Sequence, residues 1–245
     1  MFRSFDKSAM TTISIKTVVM GLFFFSLFTF GSLGTVAYAK CHASAAPGVD
    51  WQGCRKRNLI LKGSDLSGSN FAGTDFTATD LRDTKLTAAD LTKATMMRAY
   101  LDGAEAEGAN FNKLHGYRTS FVGANLKNAS FIRAEMTRAD FTDVDLTNVN
   151  FEKADLGRAK FKGASLTGVN FPFVNLSRAD FRTSNFTGSI DFTGAYLFLT
   201  RFEGVDLGEA KGLEQWQFDL SCGDEKTQLP AGLDAPANWP CAPTE

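Results

Sequence analysis

The chain has 245 residues, 44% of them apolar and 22% charged, with a formal net charge of -1. That mix excludes a disordered polar tract, and near-neutrality leaves no chain-wide cationic surface of the kind a nucleic-acid reader carries. Phenylalanine, at 23 copies against four tyrosines and three tryptophans, is used often enough to suggest one structural slot filled again and again.

The first 39 residues read as an export signal. Arg3, Lys7 and Lys16 form a basic start, an uncharged run extends from Thr17 to Ala39, and Ala37-Tyr38-Ala39 supplies the small-x-small pattern that a signal peptidase reads. Cleavage is expected after Ala39, giving a periplasmic or extracellular product. An uncleaved anchor is the alternative, because the run is long enough to span a bilayer. Either way, positive charge before the apolar run places the remainder outside the cytoplasm. Cysteine use agrees. Cys41, Cys54, Cys222 and Cys241 are even in number and confined to the two ends of the remaining chain. The economical pairing is Cys41–Cys54 with Cys222–Cys241, and two other connectivities stay open. No C-x-x-C pair exists and His42 lies far from His115, so neither a metal site nor a cofactor is expected.

Residues 40–60 read as an N-terminal cap segment. From Leu61 to about residue 210 an apolar residue recurs at every fifth position, as in Leu86, Leu91, Met96 and Leu101, or Phe141, Leu146, Phe151 and Leu156. Two residues before each stands a small one, and between them a polar one, often Asp or Asn. A period of five fits neither a helix nor an uninterrupted strand. Residues two apart share one side of an extended segment, so the small residue and the Leu/Phe point inward together. The other three must turn the chain, and glycines such as Gly103, Gly123 and Gly163 suit that turn. One such coil cannot bury its core alone, so coils must stack.

The number of sides follows from the second residue after each inward Leu/Phe. Basic residues occupy that place in adjacent pairs recurring every 20 residues: Lys93 and Arg98, Lys113 and Arg118, Arg133 and Arg138, Lys153 and Arg158, then Arg178. Only a four-sided coil aligns them into two columns. The chain resembles the pentapeptide-repeat family, whose A-(D/N)-L-x-x units imply an all-β solenoid, a right-handed quadrilateral β-helix. No enzymatic activity is expected, because the residues offer no catalytic constellation; the resemblance brings a rival role, since some members act as acidic DNA mimics on DNA gyrase. The spacing between Phe186 and Phe192 is six rather than five, which predicts a bulge around Ser189-Ile190-Asp191. Residues 211–245 read as a C-terminal cap and tail with a short helix near Trp216, and Trp51, Trp216 and Trp239 have the size to close the stack ends.

No nucleophile–base pair or carboxylate dyad stands out from the repeat. The candidate site is therefore the basic wall itself: Lys93, Arg98, Lys113, Arg118, Arg133, Arg138, Lys153, Arg158 and Arg178. One reading has Asp140, Asp180, Glu135 and Asp155 neutralise it as surface pairs of little value. The other makes it a docking surface for an acidic protein or an anionic envelope component. No nucleic-acid partner is expected, a membrane is expected only if the leader is retained, and a homodimer is possible in principle. A purely structural spacer is the remaining alternative.

Overall fold

The computed structural model describes residues 40–241; the expected leader at 1–39 lies outside them. The described chain is one stack of four-sided coils. Parallel bridges join residues 20 apart up each side, as in Asp90↔Asn110, Thr95↔His115, Tyr100↔Ser120 and Glu105↔Asn125. We call these four sides A, B, C and D in that order. Among the described residues one coil pair broadens into regular strands, β1 (Ser165–Thr167) and β2 (Asn185–Thr187), on side D.

The repeat explains each coil from its residues. In the unit Asp90-Leu91-Thr92-Lys93-Ala94, the Ala94 N–H donates to the Leu91 carbonyl at 2.9 Å, closing a four-residue turn. The third turn residue has a positive φ, +58° at Lys93, and forms the corner. The polar residue that opens the unit holds the turn: the Asp90 carboxylate accepts from the Thr92 N–H at 3.0 Å, a local side-chain mimic of a backbone turn. Leu91 and Ala94 then face inward, both fully buried. Threonines in the small slot satisfy their buried hydroxyls on the coil below, Thr119 on the Met96 carbonyl at 2.7 Å and Thr200 on that of Leu176 at 2.8 Å. That is why the slot tolerates a hydroxyl.

The core is built from two phenylalanine columns on opposite sides. Phe131, Phe151 and Phe171 stack up side A with centroids 5.1 and 5.3 Å apart, and Phe141, Phe161 and Phe181 do so on side C at 5.1 and 4.5 Å. Across the core the columns meet edge to face, Phe151 against Phe161 at 6.3 Å and 84°. Both arrangements suit the ring quadrupole. Sides B and D carry mainly Leu and Met. At Gly116 on side B the Met136 thioether takes the space a side chain would fill, while Leu114 is buried in the small slot beside it. This large–small exchange conserves core volume.

The ends depart from the expected boundaries. Bridging starts at Asp50↔Asn70, so the coil begins about a half-turn before Leu61. Its inward slots hold Trp51 and Lys56 instead of Leu or Phe. The Cys41–Cys54 disulfide fastens the preceding segment over them; the Trp51 indole donates to the Ala43 carbonyl at 3.1 Å, and the Lys56 ammonium to that of Cys41 at 2.8 Å. The ammonium also sits 3.7 Å from the Trp51 ring centroid. Burial lowers the Lys56 pKa from its ordinary value.

The single insertion falls at Ser189. Ile190 fills the small slot, and the ladder shifts from a 20-residue to a 21-residue offset at Asn170↔Asp191 and Asn175↔Tyr196. At the far end α1 (Gln215–Phe218) crosses the last coil. Gln217 donates to the Ala195 carbonyl at 2.7 Å, Phe218 stacks on Phe202, and Trp239 covers Phe218 at 5.4 Å. The Cys222–Cys241 disulfide closes this cap. Trp216, expected to help, is 53% exposed and does not. Among the described residues no helix is long and apolar enough to cross a membrane.

Candidate binding face

All nine basic residues of the wall occupy the positive-φ corner position. Lys93, Lys113, Arg133 and Lys153 form the corner between sides A and B. Arg98, Arg118, Arg138, Arg158 and Arg178 form the corner between B and C. The sequence places the two columns on neighbouring faces; the coil instead sets them as the two edges of one face, side B. Within each column the charges repeat with the coil, about 4.8 Å apart.

The corner position makes these residues costly. An L-residue in the left-handed region is held there at about 1–2 kcal/mol, and glycine escapes most of that. The other two corners mostly obey this preference: Gly63, Gly103, Gly123 and Gly163 on one, Gly68, Gly108 and Gly168 on the other, with Asp83, Asn128, Asp143 and Asn148 between them and only Ala88 and Thr183 departing from it. Only the edges of side B carry cations there in succession, from Lys93 to Arg178.

Among the described residues none of the carboxylates expected to neutralise the wall forms a salt bridge with it. Asp140 pairs with Lys160 at 3.0 Å, Asp180 with Arg182 at 2.7 Å and Lys162 at 3.4 Å, and Glu135 with His115 at 3.0 Å. Asp155 accepts from the Asn175 amide at 2.9 Å and from the Thr137 hydroxyl at 3.2 Å. The Asp180 carboxyl shows the balance: burial raises its pKa, but the hydrogen bonds and charge of Arg182 outweigh burial, and it ends below the ordinary carboxylate range. Among the described residues Lys153, 2.7 Å from Glu152, is the one member of the wall in a salt bridge. Among the described residues the five arginines of the B/C edge form no salt bridge with a carboxylate.

Between the edges, Thr95, Met97, His115, Tyr117, Glu135, Thr137 and Asp155 line a shallow depression of about 460 Å³. Arg118 leans over the Tyr117 ring at 5.3 Å. Toward the C-terminal end the face turns aromatic, with Phe173, Tyr196 and Phe198 all exposed. The sequence reading missed this end of the face. Phe173 interrupts the basic column, and the insertion at Ser189 moves Tyr196 and Phe198 out of the 20-residue register. No group of His, Cys, Asp and Glu side chains able to hold a metal ion occurs among the described residues.

A family model for a pentapeptide repeat region matches residues 94–171 and 134–211, and one for pentapeptide repeats in eight copies matches residues 52–87. No curated protein matches the chain in sequence. Among solved structures, a trypsin-treated variant of QnrB1, a plasmid-mediated fluoroquinolone resistance protein, is 20% identical, with a TM-score of 0.53 over 76% of this chain and 86% of that one. HetL, involved in heterocyst differentiation regulation in the cyanobacterium Nostoc, is 22% identical with a TM-score of 0.27, over 84% of this chain and 97% of its own. The likeness to QnrB1 is one of fold alone. With the two family models together spanning most of the coils, the chain belongs to the pentapeptide repeat family.

Proposed function

We propose that this protein is an exported, non-enzymatic binding module that holds an acidic partner against side B. The observation that carries the reading is the corner chemistry. Two corners keep mostly to the backbone's own preference for Gly, Asn and Asp, while from Lys93 to Arg178 the two flanking side B carry cations broken only by Phe173 in the same strained conformation, and among the described residues all of these cations but Lys153 lack a salt bridge. Stacked like charges repel, so the arrangement is unfavourable for the fold by itself and becomes favourable when an anion lies across it. Export is supported by the two disulfides at the chain ends, which persist in oxidising compartments, together with the leader pattern of residues 1–39.

The rival role, an acidic DNA mimic acting on DNA gyrase, would need a negative surface in the cytoplasm, and the cationic edges argue against it. The test is retention of the full chain on an immobilised polyanion, beside a variant in which Arg118, Arg138 and Arg158 are each replaced by Gln. The wild type is expected to be retained and the variant to elute early, with thermal unfolding unchanged. Equal retention of the two would overturn the reading and leave a structural spacer.

A further inference from the structure

The occupant of side B can be narrowed by what lies between its edges. Polar side chains line the floor in the middle of the face, where Thr95, His115, Glu135, Thr137 and Asp155 present hydroxyl, imidazole and carboxylate groups. At the C-terminal end the floor becomes a platform of rings. Tyr196 and Phe198 stack with centroids 6.3 Å apart. Phe173 stands at the A/B corner where the next basic residue of the column would come. It has a φ of +56° and 59% of its surface exposed. A bulky aromatic in the left-handed region is rare, and strain of this kind gathers at functional positions. The ring lies across Gly194, whose Cβ, if present, would stand 2.7 Å from it, and Lys153 reaches to 5.7 Å from its centroid.

We propose that side B binds a linear acidic polysaccharide of the polyuronate class, laid along the coils. Its carboxylates would meet the two cationic edges, its hydroxyls the polar floor, and its pyranose faces the Phe173, Tyr196 and Tyr117 rings. The inference rests on the basic-edge reading above and goes beyond it.

Three features favour this class. An extended acidic peptide repeats same-side carboxylates every two residues, about 6.6–6.8 Å, out of step with edges that repeat at about 4.8 Å, whereas one sugar ring advances a chain by roughly one coil. A single-stranded nucleic acid would also use cations and rings, but it carries few free hydroxyls for the acceptors that Glu135 and Asp155 put on the floor, and a polyol carries many. A lipid surface is planar, and it would meet the edges before reaching the depression between them.

The experiment is calorimetric titration of the full chain with sodium polygalacturonate, its fully methyl-esterified form, polyglutamate, an oligothymidylate and vesicles containing phosphatidylglycerol. Variants Phe173→Gly and Tyr196→Ala are titrated alongside; the first relieves backbone strain, so it folds at least as well as the parent. Polygalacturonate is expected to bind best, esterification to abolish binding, and each aromatic replacement to weaken it by about tenfold. If polyglutamate, the oligonucleotide or the vesicles bind as well as polygalacturonate, or if both aromatic variants bind it undiminished, the polysaccharide assignment is overturned while the basic edges stand. If no acidic probe binds, both fall.

Discussion

Two pairs of corners share one backbone and differ in everything else. At Gly103, Gly123 and Gly163 the chain turns with the residue that turns most easily; at Arg118, Arg138 and Arg158 it makes the same turn, at φ values of +57°, +62° and +59°, with a long cation. The difference separates two demands on the sequence. The glycine corners answer to folding alone. The basic corners are held against the backbone's preference, and the binding role proposed above would account for that.

If the corners are independent of the core behind them, core damage should cost the same next to either kind. Phe151 sits just before Lys153, and Phe161 just before Gly163. Each is fully buried between two stacked rings, so replacement by Ala should cost about 3–5 kcal/mol in denaturant unfolding. A large gap between the two would show that corner chemistry reaches into the core and would break the comparison. Removing the C-terminal staple with Cys241→Ser should come next, at about 2–4 kcal/mol for a loop of 19 residues, with tryptophan fluorescence reporting exposure of Trp239.

Exchanging the corners sharpens the contrast at smaller cost. Gly123→Lys meets no atom within 4 Å of its Cβ and should lose only the left-handed strain, about 1–2 kcal/mol. Arg138→Gly should gain about 1 kcal/mol and weaken polyanion retention. A variant that gained both stability and retention would remove the argument for a surface role.

The smallest effect is a titration. The hydrogen bonds from Arg82 hold the Asp80 carboxyl down at about 2, below its ordinary 3.8. Because the folded value is the lower one, its contribution is present above about pH 4 and is lost as pH falls toward 2. A carboxyl resonance titrating near 4 in the folded protein would refute it.

The periodic part of this molecule was open to reading, and the aperiodic part was not. The inward Leu/Phe series shows a coil, and the 20-residue recurrence of Lys and Arg shows four sides, because both depend only on spacing. Spacing does not reveal dihedral angles, so the wall looked like two neighbouring faces and not two edges of one. Trp51 and Lys56 hid the start of the first coil because they break the residue type while keeping its register. Tyr196 and Phe198 were hidden for the opposite reason: the extra residue at Ser189 changed their register.

Each coil touches only the coils above and below, through bonds that run from one 20-residue unit to the next. The cross-section is thus set by a short stretch of chain and the extent of side B by how many such stretches follow one another. Duplicating one internal unit would lengthen the face by a single step and add one cation to each edge, with the caps carried along unchanged. Reach and charge are therefore heritable in discrete increments, and the length of the face is a property that selection can adjust like the number of teeth on a rack.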